Sequence, residues 1–213
     1  MSLAGEEIRF PNWRGGARIF VSRPGSLVAS LILAVVIWLA SFTLLTFPVM
    51  AGYYYAVKQS KEEEYFIDLY NIYRTAFFFL RGIKRYFVQS YILGFTGILP
   101  ALALYAAPVI SLNIFSYSKE GIIVSLVLMP LWLLAFFLTG AIILYGFPRL
   151  ITTNNGFNST CYAILVGKAK SFQTTAVGFM LLSPVPAVII HGLMVFSYPF
   201  FTAWAVTPIF EGE

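Results

Sequence analysis

The sequence predicts an all-helical integral membrane protein with about four transmembrane helices in two similar halves. Of its 213 residues, 59% are hydrophobic and only 11% are charged, against about 25% charged residues in a soluble domain. Four stretches contain no Asp, Glu, Lys or Arg: residues 24–57, 86–118, 121–148 and 171–210. Because about 20 apolar helical residues cross the ~30 Å hydrocarbon core of a bilayer, each stretch is long enough to span it.

The polar and basic residues 1–26 predict a surface tail before the first span. The apolar run that follows is longer than the ~7–15-residue core of a secretory signal, and no small-residue cleavage site follows promptly. We therefore expect a retained first span over about 27–51, with Phe47-Pro48 near its end. The cluster Tyr53–Tyr55 after it is typical of the aromatic belt at a membrane interface.

Residues 62–87 have the pattern of an amphipathic helix. Polar residues recur at helical spacing at Asp68, Asn71, Arg74, Arg81 and Arg85, although Phe78 interrupts their stripe. Large apolar residues recur on another side: Phe66, Leu69, Tyr70, Tyr73, Phe77, Leu80, Ile83 and Phe87. With glutamates at its amino end and basic residues at its carboxyl end, the segment suits the helix macrodipole. We expect this helix to lie in the membrane interface.

Prolines and polar turns divide the remaining apolar stretches. The second span is predicted over about 88–110 and the third over about 121–147, and the polar run Ile151–Gly156 then ends that helix. Residues 157–172 form a second, weakly amphipathic segment. The fourth span begins near Thr174, and its prolines predict either one broken helix or two segments. Residues 27–207 thus form a single transmembrane domain, followed by a short tail at 208–213.

The two halves, about 27–110 and 121–203, resemble each other. Phe47-Pro48 follows the first span and Phe147-Pro148 follows the third, 100 residues later. In the amphipathic segments, Gly82 and Gly167 occupy matching positions, and each is followed by two basic residues and a Phe. Parallel copies of this kind are related by an axis along the membrane normal, as in some transporters. The alternative is chance, since Gly, Pro and Phe are common in membrane helices.

Three short segments resemble the YesL-like family of small bacterial membrane proteins of unknown function. They are Phe47–Tyr53, Phe77–Ser90 and Gly146–Leu150. Bacterial members of that family often lie near genes for sugar-import systems. The resemblance therefore implies a role as an accessory to transport, and it supplies no catalytic residues.

The distribution of basic residues predicts the orientation. Nine of the 14 basic residues lie in the amphipathic connections, between 58 and 85 and between 149 and 170, and five lie at 9–23 and 119. Because Lys- and Arg-rich loops stay in the cytoplasm, the amphipathic connections are predicted to be cytoplasmic. The protein is accordingly expected to be a multi-pass protein of the cell membrane.

Five basic residues are the main candidates for contact with lipid or with a partner. They are Arg81, Lys84, Arg85, Lys168 and Lys170. Such residues bind anionic lipid headgroups or an acidic partner. The alternative is topological, since basic residues flank membrane spans generally. If the halves are copies, both groups are expected at one membrane interface.

Two further residues, His191 and Cys161, have side chains that can carry chemistry. His191 is the only titratable side chain deep in a predicted span, so it is a candidate intramembrane polar site, such as a proton relay. Without an acidic partner in any span, a hydrogen bond to a neighbouring helix is the favoured reading. The single cysteine, Cys161, excludes an internal disulfide and is expected to be an apolar filler.

The sequence predicts a non-enzymatic protein with no cofactor and no metal. It lacks a phosphate-binding loop, a Gly-x-Ser-x-Gly elbow and a His-Glu-x-x-His helix. Its net charge of +5 is expected to meet anionic headgroups and not nucleic acid. The favoured function is an accessory or structural subunit of a membrane assembly, with a membrane partner or a second copy. The alternative is a small oligomeric transporter or channel with a pathway between the two repeats.

Overall fold

A computed structural model describes residues 24–40, 43–65, 67–114 and 118–182. Every regular element among these residues is a helix, which confirms the all-helical class. In chain order the elements are α1 (Pro24–Ala40), α2 (Thr46–Glu62), α3 (Ile72–Leu93), π1 (Gly94–Ile98), α4 (Leu99–Ile114), α5 (Lys119–Ala141), π2 (Ile142–Gly146), α6 (Phe147–Thr153), α7 (Gly156–Ala169) and α8 (Ser171–Leu182). Here π1 and π2 are single turns of wider π-helix.

The described residues fall into two compact units. The first ends at Arg85 and the second begins at Tyr86, so the boundary lies inside α3 and not between the predicted halves at 110–121. Predictions that concern residues 183–213, including His191, the fourth span beyond Leu182 and the C-terminal tail, lie outside the described residues. The same holds for the predicted tail up to residue 23, while α1 already begins at Pro24.

The predicted first span over about 27–51 is divided between two helices. Helix α1 ends at Ala40, and α2 begins at Thr46. The Ala40 carbonyl accepts hydrogen bonds from the hydroxyls of Thr43, at 3.0 Å, and Thr46, at 2.6 Å. Threonine hydroxyls that bind nearby carbonyls compete with the helical ladder, which accounts for the break. Pro48 stands in the first turn of α2, where its missing N–H costs nothing.

The amphipathic segment is not a separate helix. The predicted start at residue 62 is wrong because α2 ends there, and α3 begins at Ile72, just after Asp68 accepts a hydrogen bond from the N–H of Asn71. The helix also does not stop at residue 87, where the predicted segment ended. Helices α3, π1 and α4 follow one another directly from Ile72 to Ile114. No glycine or proline lies between Gly82 and Gly94, so nothing in the sequence ends the helix near residue 87.

Each π-turn ends two residues before a proline. π1 ends at Ile98 before Pro100, and π2 ends at Gly146 before Pro148. A proline inside a helix lacks an N–H donor, and its ring clashes with the carbonyl four residues earlier. Widening the preceding turn relieves both problems, so the helix continues past each proline.

The predicted turn at Ile151–Gly156 is confirmed. Helix α6 ends at Thr153, and the next residue, Asn154, has left-handed backbone with a φ of 51°. Asn155 then caps α7, because its side chain accepts a hydrogen bond from the N–H of Asn158 at 3.0 Å. A second junction, at Lys170, separates α7 from α8.

Two continuous helical runs are long and apolar enough to cross a membrane. They extend over Ile72–Pro108, with 37 residues, and Ile122–Thr153, with 32 residues. Only 28% and 18% of their most apolar windows are buried, whereas a core helix of a soluble protein is mostly buried.

Candidate functional site

Helix α3 packs on α2 through a face that the sequence pattern did not reveal. Thr75, Phe78, Phe79 and Gly82 are buried, and they recur at helical spacing. Phe78, which interrupts the polar stripe, is only 6% exposed and stacks on Tyr65 with ring centroids 6.1 Å apart. Phe78 therefore belongs to a third face, which packs on α2 together with Ile83 at the edge of the apolar stripe.

The helices α2 and α3 cross at two glycines. A Cβ atom added at Gly82 would lie 2.9 Å from Cα of Gly52 and 2.7 Å from Cβ of Tyr55. A Cβ atom added at Gly52 would lie 2.7 Å from the carbonyl oxygen of Phe79. The backbones thus touch directly, and the crossing fixes how α3 is rotated and which of its residues face outward.

The outward side of α3 interleaves basic and large apolar residues. Tyr73, Phe77, Leu80 and Lys84 follow one another at intervals of four, three and four residues, with Arg81 and Arg85 beside them. Tyr73 is 89% exposed, Phe77 60% and Leu80 63%, and the three basic residues are exposed as well. We call these six residues the outer face of α3.

Two of the three consecutive glutamates at the end of α2 have basic partners. Glu62 pairs with Lys58 at 3.5 Å, and Glu63 pairs with Arg74. The Arg74 guanidinium also lies over the Tyr65 ring, 4.6 Å from its centroid. Burial raises the pKa of the Tyr65 hydroxyl, and this shift is partly opposed by the neighbouring Thr75 hydroxyl and by Arg74.

The outer face retains net positive charge. Arg81 and Lys84 form no ion pair with any residue in the described part of the chain. The guanidinium of Arg85 lies 5.9 Å from the centroid of the Tyr55 ring. Three predicted site residues are thus brought together on one helix, and the charges of Arg81 and Lys84 face an anionic or acidic ligand without a competing ion pair from the described residues.

The other two predicted site residues lie in the second unit, at the junction of α7 and α8. Lys168 is in the last turn of α7, Lys170 follows its end, and both are exposed. The Thr174 hydroxyl donates to the carbonyls of Gly167, at 3.3 Å, and Lys170, at 3.0 Å, and so satisfies backbone groups that the junction frees. Phe172, beside the lysines, is 89% exposed.

Three hydrogen bonds join residues 86–96 to α6 and α7 in the second unit, and no sequence motif signals them. The hydroxyl of Tyr86 donates to the carbonyl of Ile151 at 2.8 Å. The N–H of Gly156 donates to the side-chain oxygen of Gln89 at 2.9 Å. One turn further on, the hydroxyls of Thr96 and Thr160 lie 2.7 Å apart. These contacts set the first turn of α7 beside residues 86–96.

The matching glycines of the two predicted halves do not occupy equivalent positions. Gly82 lies against Gly52, five residues after Phe47. Gly167 lies against Ala141, six residues before Phe147. Packing therefore does not support the one-to-one match of these glycines, although both Phe-Pro pairs follow a helix irregularity.

Within the described residues, no group of three or more His, Cys, Asp or Glu side chains could hold a metal ion. Cys161 is a free cysteine, half-buried on α7. Comparisons with protein-family models, with curated proteins and with solved structures find no match to this chain. The resemblance to YesL-like proteins therefore stays a prediction.

Proposed function

We propose that this chain is a multi-pass cell-membrane protein that serves as a non-enzymatic accessory or structural subunit of a membrane assembly. In this proposal its amphipathic region is cytoplasmic, and the outer face of α3 docks a partner subunit. The observation that carries the proposal is the interleaving of exposed basic and large apolar side chains on a helix whose opposite side is fixed against α2.

Insertion in the membrane is supported by the exposed surface of α5. Seven large apolar side chains on this helix are 44–71% exposed: Ile122, Ile123, Leu126, Val127, Met129, Leu133 and Leu134. A contiguous apolar surface of this kind is costly in water and favourable in lipid.

The chemistry of the outer face defines the partner. Its large apolar residues favour a protein surface, because exposed aromatic and aliphatic side chains gain free energy when a partner covers them. Its basic residues favour acidic groups on that surface. A second copy of this chain is a poorer match, since Glu62 and Glu63 are already paired within the described residues.

Photo-crosslinking from two adjacent positions tests the docking surface. A crosslinking residue at Leu80, which is 63% exposed, is expected to capture one partner protein in cells. The same residue at Phe79, which is 8% exposed, is the matched control and is expected to capture none.

Charge reversal makes the test specific. The double variant Arg81→Glu with Lys84→Glu is expected to abolish the Leu80 adduct, and Arg81→Lys with Lys84→Arg is expected to retain it. Adducts with lipid only, or an unchanged adduct after charge reversal, would contradict docking at this face. Equal capture from Leu80 and Phe79 would also contradict it.

A further inference from the structure

Three helix irregularities lie side by side in the second unit. A Cβ atom added at Gly97 of π1 would lie 2.6 Å from the side chain of Ile142, the first residue of π2. A Cβ atom added at Gly167, near the end of α7, would lie 3.1 Å from Cβ of Ala141, just before π2. Both π-turns and the α7–α8 junction therefore share one level along the helix bundle of this unit.

The distance from the charged end of α5 to this level matches the thickness of a membrane. Helix α5 has 23 residues and begins with the exposed, charged Lys119 and Glu120. The residues that follow Glu120 rise about 30 Å at ~1.5 Å each, which is the hydrocarbon thickness of a bilayer. π1 and α4 together, with 5 and 16 residues, give nearly the same length.

Glu120 belongs to the water phase at the far end of this span. Its own backbone N–H and the Ser118 hydroxyl lower the pKa of its carboxyl group, and both favour the charged form. A charged carboxylate at the end of an apolar helix marks a membrane boundary.

Burial increases along α5 toward the level of the π-turns. Between Ile122 and Leu134, seven large apolar side chains are exposed, and Ala135 and Phe136 are the first buried residues after them. From residue 141 to residue 148, every residue is buried. An exposed apolar surface suits contact with lipid, whereas a segment covered on all sides by protein needs no lipid.

We infer that one boundary of the bilayer lies at the level of π1, π2 and the α7–α8 junction, where Lys168 and Lys170 bind lipid phosphates. α6 and the beginning of α7, with the exposed Asn154, Asn155 and Asn158, then lie beyond the headgroups. The inference rests on the proposed function in one respect, insertion in a membrane. The exposed Phe172 enters the edge of the hydrocarbon region beside the two lysines.

The direction of α7 agrees with this boundary. Helix α7 begins beside Gln89, and Lys168 lies about 18 Å further along it, at ~1.5 Å for each residue after Gly156. The exposed Asn154, Asn155 and Asn158 surround the beginning of α7, as expected for the end in water.

Spin labels at three depths test the boundary in the full chain with Cys161→Ser, reconstituted in vesicles. A label at Val127 is expected to be accessible to oxygen, and one at Asn158 to a water-soluble nickel complex. A label at Lys168 is expected at phosphate depth. A label at Lys168 that is deeper than phosphate, or one at Asn158 inside the bilayer, would overturn the boundary. Access of the nickel complex to Val127 would instead overturn membrane insertion itself.

Retention of lipid tests the phosphate contact. The variant Lys168→Gln with Lys170→Gln is expected to bind anionic phospholipid about 10-fold or more weakly in native mass spectrometry, since each lysine near an anionic surface contributes measurably. Lys119→Gln, at the opposite end of α5, is the control and is expected to retain the lipid. Unchanged binding in the first variant would overturn the contact. If delipidated protein bound inorganic phosphate as strongly as it binds anionic phospholipid, this would overturn the assignment of the bound phosphate to lipid.

Discussion

Gly140 of α5 and Gly178 of α8 lie where the two helices touch backbone to backbone. A Cβ atom added at Gly140 would overlap the carbonyl oxygen of Thr174, and it would lie 3.0 Å from the backbone nitrogen of Gly178. A Cβ atom at Gly178 would overlap the carbonyl oxygen of Phe136. Because the obstructing atoms belong to the backbone, no side-chain rotation can make room.

Gly178→Ala is therefore expected to lower the free energy of unfolding by at least ~1–3 kcal/mol, the usual cost of overpacking. Thermal unfolding in mild detergent would measure the change. Gly146→Ala is the matched control, because its nearest neighbours are side-chain atoms at 3.3–3.5 Å. The better helix propensity of alanine, worth about 1 kcal/mol, offsets that milder contact. Equal destabilisation by both variants would contradict the crossing.

The neighbouring pair Phe77 and Phe78 separates the packed side of α3 from its outer face. Phe78→Ala is expected to destabilise the protein by ~3–5 kcal/mol, because it empties a buried site between Tyr55 and Tyr65. Phe77→Ala removes a side chain that is 60% exposed and is expected to cost less than ~1 kcal/mol. Chemical unfolding of both variants is the measurement, and the reverse order would mean that α3 is rotated differently.

The Gln89 side chain holds the first turn of α7. Gln89→Ala leaves the N–H of Gly156 without its acceptor, so a loss of ~1–3 kcal/mol is expected. Hydrogen exchange of residues 154–160 should accelerate in this variant. Val88→Ala, at a side chain that is 64% exposed, is the control and should leave the exchange unchanged. Unaltered exchange in Gln89→Ala would exclude this cap.

The buried Tyr65 hydroxyl makes stability depend on alkaline pH. The pKa of this hydroxyl in the folded protein is above the unfolded value of about 10. The stability that the neutral hydroxyl contributes to the folded state is therefore complete below pH ~10. That contribution is lost as pH rises through the folded value. Tyr65→Phe is expected to remove this component from a stability curve measured between neutral and strongly alkaline pH. Thr75→Val should displace the loss to higher pH, because the Thr75 hydroxyl lowers the pKa of Tyr65. A curve that is unchanged in both variants would refute the assignment.

Where the structure describes them, the uncharged stretches are helical as predicted, because length and apolarity decide whether a segment can be helical. They could not predict where a helix is interrupted. Hydropathy is the same on both sides of Ala40, and the break there depends on hydroxyls that bind one carbonyl. Pro100 and Pro148 are visible in the sequence, but Pro108 and Pro130 lie inside α-helices, so a proline alone does not predict a π-turn.

The candidate residues were easier to find than their surroundings. Exposure of Arg81, Lys84 and Arg85 followed from their charge. The burial of the other side of α3 could not be predicted, because the aromatic residues on that side are of the same types as those on the exposed side. Only the contact between Gly52 and Gly82 decides which phenylalanines are covered. The contacts of Gln89 and Tyr86 likewise join residues more than 60 positions apart.

The two sides of α3 share no residues, and this has a consequence for how such a protein can change over generations. The glycine crossing tolerates almost no variation, because any added atom meets backbone. Tyr73, Leu80 and Lys84 are outside that restriction, so they can be exchanged with little loss of folding. A lineage can therefore recruit a new binding partner through a few surface substitutions while its helical framework stays the same.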